Sequence, residues 1–174
     1  MNIRFERGLR KENATILCKW SNDRGDAFQE QWMGLKISYP LTYDKIKEME
    51  NIFSIFNEDE FLGIIQQIRV EKDNIHIGRI IINPKKQGMG FGKEAIRGFI
   101  DLIFKDESIK SISLNVFDSN KNPTLPRCFA SGGFPGTLLF HNKNARNIYT
   151  KLGFEIDEVI ETPKLKYLMK KYRQ

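Results

Sequence analysis

The chain of 174 residues has only two cysteines and two histidines, and none of its apolar runs nears the roughly 18 residues of a membrane span. Cys18 and Cys128 are far apart and lack the paired spacing of a metal site, so both read as free thiols in a reducing cytoplasm. With only His76 and His141 available besides, a zinc centre is not expected. The N-terminus lacks the apolar core of a signal peptide, which also points to the cytoplasm. Charge of one sign is in excess, with a formal net charge of +6 and a pI near 9.3. The basic residues are dispersed, however, and the densest cluster, Lys170-Lys171-Tyr172-Arg173, reads as a solvated tail rather than a nucleic-acid surface. A composition 40% hydrophobic and 29% charged is that of a soluble globular protein, and the length suits one domain over 1–174 with a proper core.

What is present is most concentrated between Ile80 and Ala95, IIINPKKQGMGFGKEA. The β-branched run Ile80-Ile81-Ile82 predicts a buried strand, and Pro84 ends it because proline has no N–H for a sheet ladder. Gln87, Gly88, Gly90 and Gly92 follow, and Lys93-Glu94-Ala95-Ile96 opens a helical pattern. A strand running through glycines into a helix gathers backbone N–H groups and a helix N-terminus at one point, which suits a diphosphate. The glycines alternate at 88, 90 and 92, so they do not form the Rossmann G-x-G-x-x-G, and Glu94 replaces the Ser/Thr of a Walker loop. A glycine-rich turn without a ligand is the bland alternative.

The spacing Gln87-x-x-Gly90-x-Gly92 after a strand ending in Asn83-Pro84 resembles the coenzyme A signature of the GNAT acetyltransferase superfamily, Arg/Gln-x-x-Gly-x-Gly/Ala. Downstream, Asn142-x-x-Ala145-x-x-x-Tyr149-x-Lys151-x-Gly153-Phe154 resembles the family's second signature, a helix followed by a strand. The two together anchor about Ile75 to Ile160 and leave the first 50 residues without a matched signature. The resemblance implies an α/β fold, a mainly antiparallel sheet of six or seven strands splayed centrally for coenzyme A and flanked by about four helices.

The rest of the pattern agrees. Asn2–Glu6 predicts a first strand, and Asn13–Trp32 is helical around the loop Ser21–Gly25, with Leu17, Trp20, Phe28 and Trp32 as apolar anchors. Thr42 is a predicted N-cap for a helix over Tyr43–Glu50, with Lys45 at N3. Strands over Ile52–Asn57, Phe61–Glu71 and Ile75–Ile82 are separated by Glu58-Asp59-Glu60 and Lys72-Asp73-Asn74. Gly90–Lys105 is an amphipathic helix with Ile96, Phe99, Ile100, Ile103 and Phe104 on one side. Strands are expected at Ser111–Phe117, Phe154–Ile160 and Lys164–Lys171. One departure from the family pattern is Asn120-Lys-Asn122, which recurs as Asn142-Lys-Asn144, 22 positions later. The Pro- and Gly-rich stretch between them predicts an inserted loop at about 120–141, either a passive insertion or a lid over the acceptor.

The resemblance also implies a chemistry. Backbone groups of Ile80, Ile81 and Ile82 would pair with the pantetheine arm, and an N–H in that run would face the thioester oxygen. The amides of Gly88, Met89, Gly90, Phe91, Gly92 and Lys93 would hold the diphosphate. Gln87 stands where arginine is commoner, so binding would rest more on amides, with Lys86 and Lys93 as compensating cations. Asn142, with Ala145, matches the position that bonds the pantetheine or adenosine end, with Asn120 as the alternative register. Tyr149 matches the tyrosine that donates to the departing sulfur, or else packs its ring on the sheet. Gly153-Phe154 reads as a helix cap and core anchor. His76, on the strand before the glycine loop, is the candidate base, against a structural role; Glu30, Glu60 and Glu71 are no better placed. Trp20, Trp32, Tyr39 and Tyr43 could line an acceptor pocket, though core roles suit the tryptophans better. The expected activity is transfer of an acetyl group from acetyl-CoA to a primary amine of a small molecule, peptide or protein. The alternative is a catalytically weak coenzyme A-binding or sensory module. No metal, membrane or nucleic-acid partner is expected, and a homodimer is admitted.

Overall fold

The computed structural model describes residues 1–117, 141–161 and 165–174, so the expected insertion at about 120–141 lies outside the described residues apart from its last position. The described residues carry seven strands and five α-helices in a mixed α/β, mainly antiparallel arrangement. They divide into two compact units, 1–112 with Arg173, and 113–172 with Gln174.

The first unit begins with β1 (Ile3–Arg7), α1 (Lys11–Asn22), α2 (Asp26–Met33) and α3 (Tyr43–Lys47). It continues through the meander β2 (Ile52–Asn57), β3 (Glu60–Glu71) and β4 (Asn74–Ile82) to α4 (Phe91–Ile103). Strands β1 to β4 adjoin in sequence order, each antiparallel to the next. Asn57 pairs with Glu60 and Glu71 with Asn74, leaving two-residue turns whose first residues, Glu58 and Lys72, have φ of 55° and 52°. The charged turn sequences thus act as expected.

The sheet buries both faces because successive strand residues point to opposite sides. On one side Ile52, Phe56, Phe61, Ile64 and Ile81 pack with Ala14, Leu17, Phe28, Trp32, Met33 and Ile46 from α1–α3. On the other, Phe99 of α4 meets Phe5 at 5.3 Å and Phe53 at 5.0 Å between ring centroids. Helix α4 has the spacing for this, with Ala95, Ile96, Phe99, Ile100 and Ile103 buried along one stripe. Phe104 falls just past its end and is half-buried beneath the Arg173 guanidinium, 5.0 Å away. Trp20 stacks on Phe61 at 5.6 Å, and the Trp32 indole N–H donates to Ser21 Oγ. Trp32 is therefore a core residue and Trp20 packs half-buried against the core, while Tyr39 and Tyr43 are exposed. Cys18 is a free thiol packed against this core, and burial pushes its pKa up.

Helix α3 is three residues shorter than its pattern suggests. Met49 N–H bonds Ile46 O, the Glu50 carbonyl accepts from the Gln66 side chain at 2.7 Å, and Asn51 takes φ 52°, which turns the chain into β2. Thr42 occupies the N-cap with extended backbone but its hydroxyl makes no capping bond; Lys45 Nζ instead ties down the Ser38 and Pro40 carbonyls.

The second unit contains most of β5 (Ser111–Phe117), then α5 (His141–Lys151), β6 (Glu155–Ile160) and β7 (Lys166–Tyr172). β7 lies between β5 and β6 and is antiparallel to β6.

Candidate functional site

In the first unit the chain between β4 and α4 is built from the strand outward. Ile64 pairs with Ile81 and Gln66 with Gly78, so Arg79 and Ile80 of β4 together oppose Ile65 of β3. One extra residue on one strand is a β-bulge, which interrupts the ladder and bends the strand just where Ile80-Ile81-Ile82 begins. Arg79 takes φ 48°, an unusual conformation for a side chain of this size. It is held there by Arg79 Nη1 donating to Gln66 Oε1 at 2.7 Å and Nε donating to the Met33 carbonyl at 3.3 Å. A close approach next to the bulge fixes a glycine: a Cβ on Gly63 (φ 153°) would lie 1.9 Å from the Ile81 carbonyl oxygen.

Beyond Ile82, the Asn83 N–H is tied to the Leu62 carbonyl at 2.7 Å and its side chain accepts from Lys85 N–H at 3.0 Å. A short 3-10 turn, Pro84–Lys86, reverses the chain into the glycines. Gly88 has φ 79° and Gly90, the N-cap of α4, has φ 87°, so both positions require glycine for their backbone. Added Cβ atoms there would meet nothing within 4 Å at Gly88 and only the end of Met1 at 3.5 Å at Gly90. Gly92 has ordinary helical backbone and its nearest neighbour would be Ile82 Cγ1 at 3.7 Å. The space over Gly88 is open, and at Gly90 and Gly92 an added Cβ would make only ordinary van der Waals contact. The first backbone bond of the helix is Glu94 N–H to Gly90 O at 3.1 Å, so the N–H groups of Gly90, Phe91, Gly92 and Lys93 have no partner within the helix. Met89 is 58% exposed at the tip. Glycines and a helix N-terminus with unpartnered N–H donors together form a cradle of the kind that suits an anion.

The cations expected to support this cradle differ in availability. Lys86 Nζ is held by Glu60 at 2.9 Å and lies 5.8 Å over the Phe91 ring. Lys93 is half-buried with no carboxylate at ion-pair distance among the described residues. Sequence reasoning missed Arg24, whose Nη1 donates to Gln87 Oε1 at 3.4 Å across 63 residues of chain. His76 is on β4 as expected, opposite Arg69, and only 4% exposed. In α2 the buried Gln29 donates to the Ile37 carbonyl, and its Oε1 has no partner among the described residues.

In the second unit, α5 carries positions 142, 145 and 149 at helical spacing. The Asn142 side chain and all of Asn120 lie outside what is described, and Ala145 is half-buried. The helix end explains Gly153-Phe154. Phe154 N–H bonds Tyr149 O and Gly153 N–H bonds Thr150 O, each at 3.0 Å, with Gly153 at φ 84°. This is a Schellman cap, and its usual apolar contact is the edge-to-face pair of Tyr149 and Phe154 at 5.8 Å. Tyr149 is 8% exposed, and burial pushes its phenol up to about 12. Such a phenol stays protonated at any ordinary pH and always has a hydrogen to donate. Among the described residues no cluster of three or more His, Cys, Asp or Glu could hold a metal, and no helix is long and apolar enough to cross a membrane.

Comparison with known proteins adds the relationships. The family model described as the acetyltransferase (GNAT) family matches residues 17–123, across the limit between the two units at Ile112. Among solved structures, the aminoglycoside acetyltransferase AAC(6')-Ib with ribostamycin and coenzyme A is similar at a TM-score of 0.70 and 17% identity, over 100% of this chain and 95% of that one. The spermidine N-acetyltransferase of Vibrio cholerae with coenzyme A and spermine gives 0.69 and 15%, over 98% and 95%. The ribosomal-protein-S18-alanine N-acetyltransferase of Escherichia coli gives 0.62 and 13%, over 98% and 93%.

Proposed function

The chain belongs to the acetyltransferase (GNAT) family, and from that premise we propose that it is an N-acetyltransferase moving an acetyl group from acetyl-CoA to a primary amine of a small molecule, peptide or protein, with residues 1–174 acting as one domain. The observation that carries the reading is the segment from the β4 bulge to the α4 N-terminus. It offers strand backbone at Ile80–Ile82 for the pantetheine arm and N–H donors over Gly88–Lys93 for the diphosphate. The amine nitrogen attacks the thioester carbonyl carbon, the C–S bond breaks, the nitrogen loses a proton and the sulfur leaves as a thiolate that ends as a thiol. An N–H of the Ile80–Ile82 run polarises the carbonyl oxygen as charge builds on it.

Tyr149 serves the leaving sulfur. A phenol near 12 facing a thiolate whose acid is near 8.5 makes full proton transfer uphill, so Tyr149 works chiefly by a hydrogen bond to the developing negative charge. Asn142 and Ala145 belong to the binding of the cosubstrate arm. His76 is proposed as the base; it stands four residues before Ile80, about 13 Å of extended strand, so this role would require a chain of several water molecules to reach the amine. The binding of amines such as spermine and ribostamycin in neighbouring structures supports an amine acceptor. The test is release of free thiol from acetyl-CoA across a panel of small amines, amino-acid amides and peptides. Amine-dependent release supports the reading, whereas tight coenzyme A binding without turnover on any acceptor favours a sensory module of the same fold.

A further inference from the structure

The arginines of the first unit differ in what neutralises them. Arg4, Arg10, Arg69 and Arg97 each sit beside a carboxylate. Arg24, in the turn between α1 and α2, has none at ion-pair distance among the described residues. It is half-buried, its guanidinium carbon 4.9 Å over the Phe28 ring. Among the described residues its fork of five N–H donors makes a single hydrogen bond, to Gln87 Oε1, and at 3.4 Å that bond is longer than an ordinary one. Burial disfavours its charge, and a partly desolvated cation without a counter-ion is an unfavourable arrangement that an incoming anion relieves.

Gln87 is the residue immediately before Gly88, so its side chain marks the rim of the cradle over Gly88–Lys93. Lys86, the nearest cation in sequence, is neutralised by Glu60. We propose that Arg24 is a binding residue for the diphosphate of coenzyme A, bringing from the α1–α2 turn the positive charge that Gln87 does not carry. This rests on the acetyl-CoA reading above. A planar guanidinium matches phosphate oxygens with two parallel N–H bonds, which a lysine ammonium cannot reproduce. Gln87 then has a positioning part, since its amide oxygen aims the guanidinium while no phosphate is bound. The aromatic support from Phe28 limits the rotamers of a long side chain and so reduces the ordering cost on binding.

The experiment is calorimetric titration of the full chain, as wild type, Arg24→Gln and Arg24→Lys, with coenzyme A and with pantetheine, which lacks the diphosphate. Arg24→Gln is expected to weaken coenzyme A by roughly 10- to 100-fold, the range of one lost charged hydrogen-bonding partner. Pantetheine affinity should stay the same, and Arg24→Lys should fall between wild type and Arg24→Gln. The difference between wild type and Arg24→Gln should shrink as salt is raised. Equal coenzyme A affinity in wild type and Arg24→Gln overturns the proposal, and so does an equal loss toward both ligands, which marks Arg24 as a structural prop of the turn. Failure of the folded wild type to bind coenzyme A at all is a separate result and overturns the acetyl-CoA reading itself.

Discussion

Tyr149 is held by structure in a way that lets its proposed chemistry be tested apart from its packing. Its carbonyl and ring both belong to the Schellman cap that ends α5, while its hydroxyl makes no part of that cap. Replacement by phenylalanine keeps the ring and the cap and removes only the donor. Tyr149→Phe should therefore lower kcat by roughly 10²-fold, within the range of lost proton-donor assistance, with coenzyme A affinity little changed. Steady-state kinetics with a better-leaving thiol in the acyl donor should show a smaller loss; near-normal turnover would leave Tyr149 as a packing residue. The raised phenol pKa has a consequence for stability as well. Unfolding returns the group from about 12 to near 10.0, so above pH 10 the unfolded chain binds fewer protons and stability falls with rising pH. The contribution is fully present below pH 10 and is lost as pH passes up to about 12. Denaturant titrations across that window should show wild type losing more stability than Tyr149→Phe, and parallel curves would contradict the buried, protonated phenol. The residues of this cap were readable in the sequence because Tyr-x-x-x-Gly-Phe is itself the local code of the cap. Arg24 was not readable, since its partner lies 63 positions away and nothing near either residue signals the other.

At the scale of elements, the hairpins and α4 were legible because their signals are local. β2 and β5 run over Ile52–Asn57 and Ser111–Phe117 as their patterns require, and α4 falls within its expected span. Less legible was the bulge in β4. Its unusual φ at Arg79 is held by Gln66 and Met33, 13 and 46 residues away, and the tight approach at Gly63 appears only once β3 lies beside β4. These distant constraints give two contrasting glycine predictions. Gly63→Ala puts a Cβ into the Ile81 carbonyl and should cost about 2–4 kcal/mol of unfolding free energy, read by urea titration, because backbone must move. A Cβ at Gly92 meets Ile82 Cγ1 at the ordinary contact distance of 3.7 Å and takes no strained φ, so Gly92→Val should cost little of the apo stability. It should nevertheless abolish the rise in melting temperature on adding coenzyme A, because its side chain stands over the N–H donors. An unchanged shift in Gly92→Val would move the diphosphate away from the cradle.

For the whole molecule, the excess of basic charge suits a polyanionic cosubstrate, since a mildly positive surface favours its encounter. A ligand that binds only the native state stabilises it by mass action, so coenzyme A at a hundredfold excess over Kd should raise the melting temperature by roughly 5–10 °C. The class of acceptor was not legible from the chain. Neighbouring structures with aminoglycosides and with spermine reach comparable TM-scores at 17% and 15% identity, so the fold alone does not choose among amines. Of the four aromatic residues expected near an acceptor, Trp32 is buried, Trp20 packs half-buried against the core, and Tyr39 and Tyr43 are exposed.

The most direct test of the account is thiol release from acetyl-CoA, followed with a thiol-reactive dye over an amine panel, for wild type beside Gly92→Val. The account predicts release that depends on at least one primary amine in wild type and is lost in Gly92→Val. Wild-type release that is independent of every amine, or full amine-dependent release by Gly92→Val, would contradict it.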